Sequence, residues 1–221
     1  MKISSLIEQI KLKKSYLCVG IDPDLEKIPE HIKNQSDPIY TFSKSIIDST
    51  AKYAVAFKFN IAFFEAYGIE GLISLESLIK YVNTEYPHVF TIADAKRGDI
   101  GNSSSRYAKA FFEKFGFDSI TVSPYMGRDS IEPFLSFENR HTILLALTSN
   151  SGAEDFQFIS SEGRKVYEHV IVESKKWKGN ENIMYVIGAT KAIHLENVRK
   201  LTPNSFLLIP GVGKQGGSLE E

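Results

Sequence analysis

Seven short apolar runs, separated by longer stretches of helical periodicity, restrict this chain to very few folds. The runs are Tyr16–Ile21, Ala54–Phe59, Val89–Ala93, Ser119–Val122, Thr142–Leu147, Ile183–Ile187 and Phe206–Ile209. Each is continuous rather than alternating, as parallel strands covered on both faces should be. The stretches between them place apolar residues on one helical face. Phe42, Ile46, Ile47 and Tyr53 do so in Thr41–Tyr53, and Leu72, Leu75, Leu78, Ile79 and Val82 do so in Leu72–Tyr86. In Ser103–Phe115 the stripe is Tyr107, Ala108, Phe111, Phe112 and Phe115, and Glu162–Lys178 and Lys191–Leu201 are further helical stretches. Strands alternating with helices imply βαβ units and a parallel sheet. With no Pro/Gly/Ser-rich linker, internal repeat or shift in composition, residues 1–221 read as a single domain.

An open doubly wound sheet and a (β/α)8 TIM barrel both fit that pattern. The polar residues choose between them. They cluster at the carboxyl ends of many runs: Asp22, Lys58 and Asn60, Asp94 and Lys96, Ser123, Thr148 and Ser149, and Gly211 to Gly217. An open sheet gathers its site at one switch point, whereas a barrel collects residues from several strand ends around one mouth. The expected fold is therefore a TIM barrel whose eighth strand is absent from the 221 residues.

Composition narrows the function by exclusion. A net charge of −1 gives no electrostatic reason to expect a nucleic-acid or membrane partner. A single cysteine, Cys18, rules out a disulfide within these residues and suits a reducing, cytoplasmic setting. The first 20 residues lack the apolar core and cleavage site of a secretory signal, and no apolar run approaches the ~20 residues of a membrane helix. The five histidines are scattered without metal-ligand spacing, so no metal site is expected.

The stretch TIADAKRGDIGN, Thr91 to Asn102, sets Asp94, Lys96, Arg97 and Asp99 at the end of an apolar run. Strand alternation would put Asp94 and Lys96 on one face, with Arg97 elsewhere and Gly98 allowing a sharp turn. Asp99 would then leave the strand ahead of a helix capped by Asn102, Ser103 or Ser104. As a surface ion pair the motif would be unremarkable. Lys58 and Asp22, each closing an otherwise apolar run, make a charged constellation at one mouth the better reading. Acids beside Lys96 favour its charged form. An imine-forming lysine needs the opposite environment, so Lys96 suits proton donation or electrostatic stabilisation.

DAKRGDI (Asp94 to Ile100) resembles the signature of the orotidine 5'-phosphate decarboxylase family, in its longer bacterial branch. CVGIDPD, FKFNIAFFEAYG, DSITVSPYMG, LALTSNSGA and PGVGKQGG follow as similar strand ends in the expected order. The resemblance implies a lyase that converts orotidine 5'-monophosphate to UMP in de novo pyrimidine biosynthesis, with no cofactor. It implies that Lys96 protonates C6 and that Asp94 sits against the substrate carboxylate. Lys58 and Asp22 would bind ribose hydroxyls, and Ser149 the pyrimidine edge. Gln215 and Gly216 would lie on the loop over the phosphate. Asp99 and Ser103 would serve the neighbouring subunit's site in a homodimer with shared active sites. The family's eighth strand and phosphate-binding arginine have no counterpart in these residues, so a C-terminal segment is expected to follow.

Two other readings remain open. Related barrels that use magnesium on sugar phosphates share the D-x-K-x-x-D core, and a nucleotide-binding protein without turnover is possible. GVGKQG fits a dinucleotide-binding pattern in letters, but no helix and distant acid follow it. A backbone cradle for phosphate is the better use of those glycines.

Overall fold

The computed structural model describes residues 1–212 and 216–218. The chain forms two compact units, Met1–Ala95 with Tyr107–Ile120, and Lys96–Arg106 with Thr121–Glu221.

The first unit contains β1 (Cys18–Ile21), β2 (Ala56–Asn60) and most of β3 (Phe90–Arg97). β2 pairs in parallel with both others, with Gly20 opposite Lys58, Lys58 opposite Ile92 and Asn60 opposite Asp94. The helix Pro38–Thr50 starts where Asp37 accepts the Tyr40 N–H at 2.8 Å, with proline in the first turn. The helix Gly68–Glu85 buries Leu75, Leu78, Ile79 and Val82, an i, i+3, i+4, i+7 stripe. Ser74 on this helix donates to the Asp37 carboxylate at 2.9 Å, so the cap of one helix is held by the other. Phe59 meets Phe117 edge to face, with centroids 5.7 Å apart, in the core behind β2. β1 is less covered than its apolar run suggests: Cys18 and Val19 are half-buried and Gly20 is exposed. It pairs in parallel with β2.

β4 (Ser119–Val122) is fully buried, and its last two residues open the main part of the second unit. In that unit β5 (His141–Leu147) pairs in parallel with a later strand, Ile183–Ile187, across a bulge between Leu145 and Leu147. Between them a small antiparallel hairpin, β6 (Ser160–Ser161) and β7 (Arg164–Lys165), precedes the helix Val166–Ser174. The later strand is thus β8, and it pairs in parallel with β9 (Leu207–Leu208). The fold is α/β, with parallel strands alternating with helices along most of the chain, and no described helix is long and apolar enough to cross a membrane.

Three local expectations are corrected. The helix expected over Glu162–Lys178 starts at Val166, because Glu162 (φ 50°) and Gly163 (φ 76°) form the tip of the hairpin. Two consecutive left-handed residues are what a two-residue hairpin turn demands. The helix expected over Ser103–Phe115 starts at Gly101 and passes into a π-helical turn at Ala110–Phe115, ended by Gly116 at φ 83°. Asn102, Ser103 and Ser104 therefore lie inside its first turn and are not caps.

Candidate active site

The pairing register of the first unit brings three predicted residues together. Neighbours in register share a face, as do residues two apart along a strand. Gly20 lies opposite Lys58, so Asp22, Lys58, Asn60 and Asp94 all belong to one face. Lys58 Nζ lies 3.2 Å from Asp94 Oδ2 and 3.9 Å from Asp22 Oδ1. The Lys58 and Asp94 side chains are 16% and 12% exposed, against 43% for Asp22. Water therefore screens the Asp22 contact far more than the Asp94 contact. Two carboxylates around one ammonium leave this trio with a net negative charge. Gly20 keeps the space beside them open: a Cβ there would meet Asp22 Oδ1 at 3.6 Å and Lys58 Nζ at 3.9 Å.

Cys18 lies two residues before Gly20 on the same strand face. Desolvation pushes its thiol up to about 12, with the Lys58 charge acting against the shift and the Asp94 charge adding to it. The residue as a whole is only half-buried. Cys18 is thus no nucleophile at neutral pH, in line with its expected packing role.

The second unit holds the rest of the charged motif. Lys96 is exposed, and its φ of 46° puts a non-glycine residue in the left-handed region. Strand alternation therefore ends before Lys96, and the face shared with Asp94 does not follow from parity alone. Two bonds to the end of β4 hold this bend. The Lys96 N–H donates to Thr121 Oγ1 at 2.9 Å, and the Ser123 N–H donates to the Arg97 carbonyl at 2.7 Å. Gly98, expected to permit a turn through its backbone freedom, has no left-handed φ. Its lack of a side chain serves close packing instead, since a Cβ would lie 3.3 Å from the Ser123 carbonyl oxygen. The turn falls at Lys96 and at Gly101, with φ 52°.

Asp99 is half-buried and accepts the Ile100 N–H at 2.8 Å, just ahead of the helix. Ser103 is exposed on the first turn of that helix, whereas Ser104 is buried and donates to the Ser130 carbonyl at 2.6 Å. Ser149 is half-buried two residues after β5, and its carbonyl accepts from Thr190 Oγ1 at 2.8 Å. Gly216 is exposed at φ 91°. The Gly217 N–H donates to the Gly211 carbonyl at 2.9 Å. Gln215 lies outside the described residues.

Sequence reasoning missed the residues that support Ser149. Gly188, just after β8, would place a Cβ 2.5 Å from both Cα and N of Ser149. A glycine closing an apolar run is a signal of close backbone approach. Gln157 binds the residue before Ser149 twice, and nothing in the periodicity marks it.

Residues 15–221 match the model of the orotidine 5'-phosphate decarboxylase / HUMPS family. The chain is 61% identical to orotidine 5'-phosphate decarboxylase of Flavobacterium johnsoniae and 59% identical to that of Christiangramia forsetii. Each alignment covers all of this chain and 81% of the relative. OMP decarboxylase of Leishmania donovani superposes with a TM-score of 0.86 at 35% identity, over 96% of this chain and 80% of that one. A match over nearly the full length, with sequence and fold in agreement, places the chain in the orotidine 5'-phosphate decarboxylase / HUMPS family.

Proposed function

We propose that this chain decarboxylates orotidine 5'-monophosphate to UMP with Lys96 as the proton donor to C6. The observation that carries the reading is Lys58 held between Asp94 and Asp22, with Asp94 two residues before Lys96 in the same motif. In the reaction the bond between C6 and the carboxylate carbon breaks and its electron pair stays on C6. Carbon dioxide leaves, and the Lys96 ammonium proton passes to C6. No electron is gained or lost overall, so the step calls for no redox partner. A fixed ammonium aimed at the carbon stabilises negative charge as it develops. The left-handed backbone at Lys96 supports this assignment, since conformational strain of this kind concentrates at functional positions.

Asp94 is assigned beside the substrate carboxylate, where it disfavours the bound ground state. Lys58 and Asp22 are assigned to the ribose hydroxyls, and Lys58 also links the charged network. Ser149 is assigned to the pyrimidine edge, and Gln215 and Gly216 to the loop over the phosphate. Binding energy at that remote group can be spent on closing the site around the ring. Asp99 and Ser103 are assigned to a neighbouring subunit's site, which makes the working unit a cytoplasmic homodimer. The activity is taken to need no metal or organic cofactor.

The test follows the loss of orotidylate absorbance with wild type and Lys96→Ala, each with and without excess chelator. Wild type should turn over equally in both, and Lys96→Ala should lose at least 10²-fold, the lower range for a missing general acid. Turnover abolished by chelator would point to the magnesium-dependent alternative. Full activity in Lys96→Ala would remove Lys96 from its role.

A further inference from the structure

We infer that Gln157 is a positioning residue for the pyrimidine contact, acting through the turn that carries Ser149. The inference rests on the assignment of Ser149 to the pyrimidine edge.

Gln157 uses both ends of its amide on one neighbour. Its Oε1 accepts the Thr148 N–H at 2.8 Å, and its Nε2 donates to Thr148 Oγ1 at 2.8 Å. The Thr148 hydroxyl in turn donates to Asn150 Oδ1 at 2.7 Å. A hydroxyl has one proton to give. The sequence Nε2–H to Oγ1–H to Oδ1 therefore runs in one direction, set by the amide at its head. Thr148 and Asn150 flank Ser149, so this chain of bonds fixes the turn on both sides of it. The proton of Thr148 is committed within the turn.

The clamp is itself anchored. The Gln157 N–H donates to the Ala153 carbonyl at 2.8 Å, and its carbonyl accepts from the Tyr167 N–H at 3.2 Å. Tyr167 is 1% exposed, in the first turn of the helix Val166–Ser174. From the third side, Gly188 packs against the Ser149 backbone and Thr190 holds its carbonyl. The segment between β5 and this helix therefore acts as a brace for the strand end. Holding Ser149 in place before substrate arrives lowers the ordering cost of binding.

The experiment measures KM and kcat for orotidine 5'-monophosphate in Gln157→Leu, Gln157→Glu, Ser149→Ala and the Gln157→Leu/Ser149→Ala double variant. Gln157→Leu should raise KM about tenfold, the size of one lost neutral hydrogen bond, with kcat changed less. Gln157→Glu keeps the acceptor for the Thr148 N–H and should recover part of the loss. Because Gln157 acts through Ser149, the double variant should have a KM no higher than twice that of the worse single variant. A partly misfolded sample lowers apparent kcat and leaves KM alone, so folding defects are separable. A KM in Gln157→Leu within twofold of wild type, with Ser149→Ala clearly impaired, would overturn the inference. So would a double variant whose KM rises by the product of the single effects. A Ser149→Ala KM within twofold of wild type would instead overturn the assignment of Ser149 itself.

Discussion

Lys96 and Cys18 carry opposite lessons about single positions. A non-glycine residue in the left-handed region costs about 1–2 kcal/mol, and Lys96 sits there at φ 46°. Lys96→Gly should therefore be about 1 kcal/mol more stable than Lys96→Ala in urea unfolding, after allowing for the extra freedom of unfolded glycine. Equal stability of the two would show that the bend relaxes once the lysine is gone. For Cys18 the folded thiol lies above its ordinary 9.0, at about 12. Its contribution to stability is complete below pH 9, where both states keep the proton. Between pH 9 and 12 the unfolded thiol ionises while the folded one does not, so stability falls as pH rises. Cys18→Ala should flatten that part of the stability curve. Alkylation of Cys18 at neutral pH should also be slow in the native protein and fast in urea, because thiolate is the reactive form. The charged motif, Lys58 and Asp22 could be read from the sequence because charges closing apolar runs stand out. The left-handed φ at Lys96 could not, because lysine carries no preference that announces it.

The strands were readable wherever both faces are covered. β4 and β8 run as their apolar segments do, from Ser119 to Val122 and from Ile183 to Ile187, and every residue in both is buried. β3 extends to Arg97, past the last apolar residue of its expected span, into charged sequence where the Lys96 N–H bonds the Thr121 hydroxyl and the Ser123 N–H bonds the Arg97 carbonyl. Periodicity cannot see bonds of that kind, which depend on a neighbour distant in sequence. The same limit hid the support around Ser149, where Gly188 and Gln157 lie 39 and 8 residues away along the chain. Gly188→Ala tests that packing directly. Its Cβ would overlap the Ser149 backbone, so the strand ends must separate, at a cost of about 1–3 kcal/mol. The expected result is a lower denaturation midpoint together with a raised KM. A substitution that shifts stability and leaves KM untouched would place the strain elsewhere.

The division of the charged motif among copies of the chain is a question for the assembled protein. If Asp99 serves a neighbour's site, an Asp99→Ala homodimer and a Lys96→Ala homodimer should both be inactive. Mixing them should restore up to about a quarter of wild-type activity. That figure follows from random exchange, in which half the dimers are hybrids and each hybrid holds one intact site. No recovery, with exchange verified by mass labels, would place Asp99 in its own chain's site. The hairpin between β6 and β7 has a different use. Its tip, Glu162 and Gly163, is exposed, and a Cβ on Gly163 would meet nothing within 4 Å. The tip is five residues beyond Gln157, on the segment that braces the turn after β5. Exposed two-residue tips of this kind accept inserted sequence more readily than packed elements do. A fluorophore or short peptide grafted there would report on that segment from outside, offering an optical handle on substrate occupancy without touching a charged side chain of the motif.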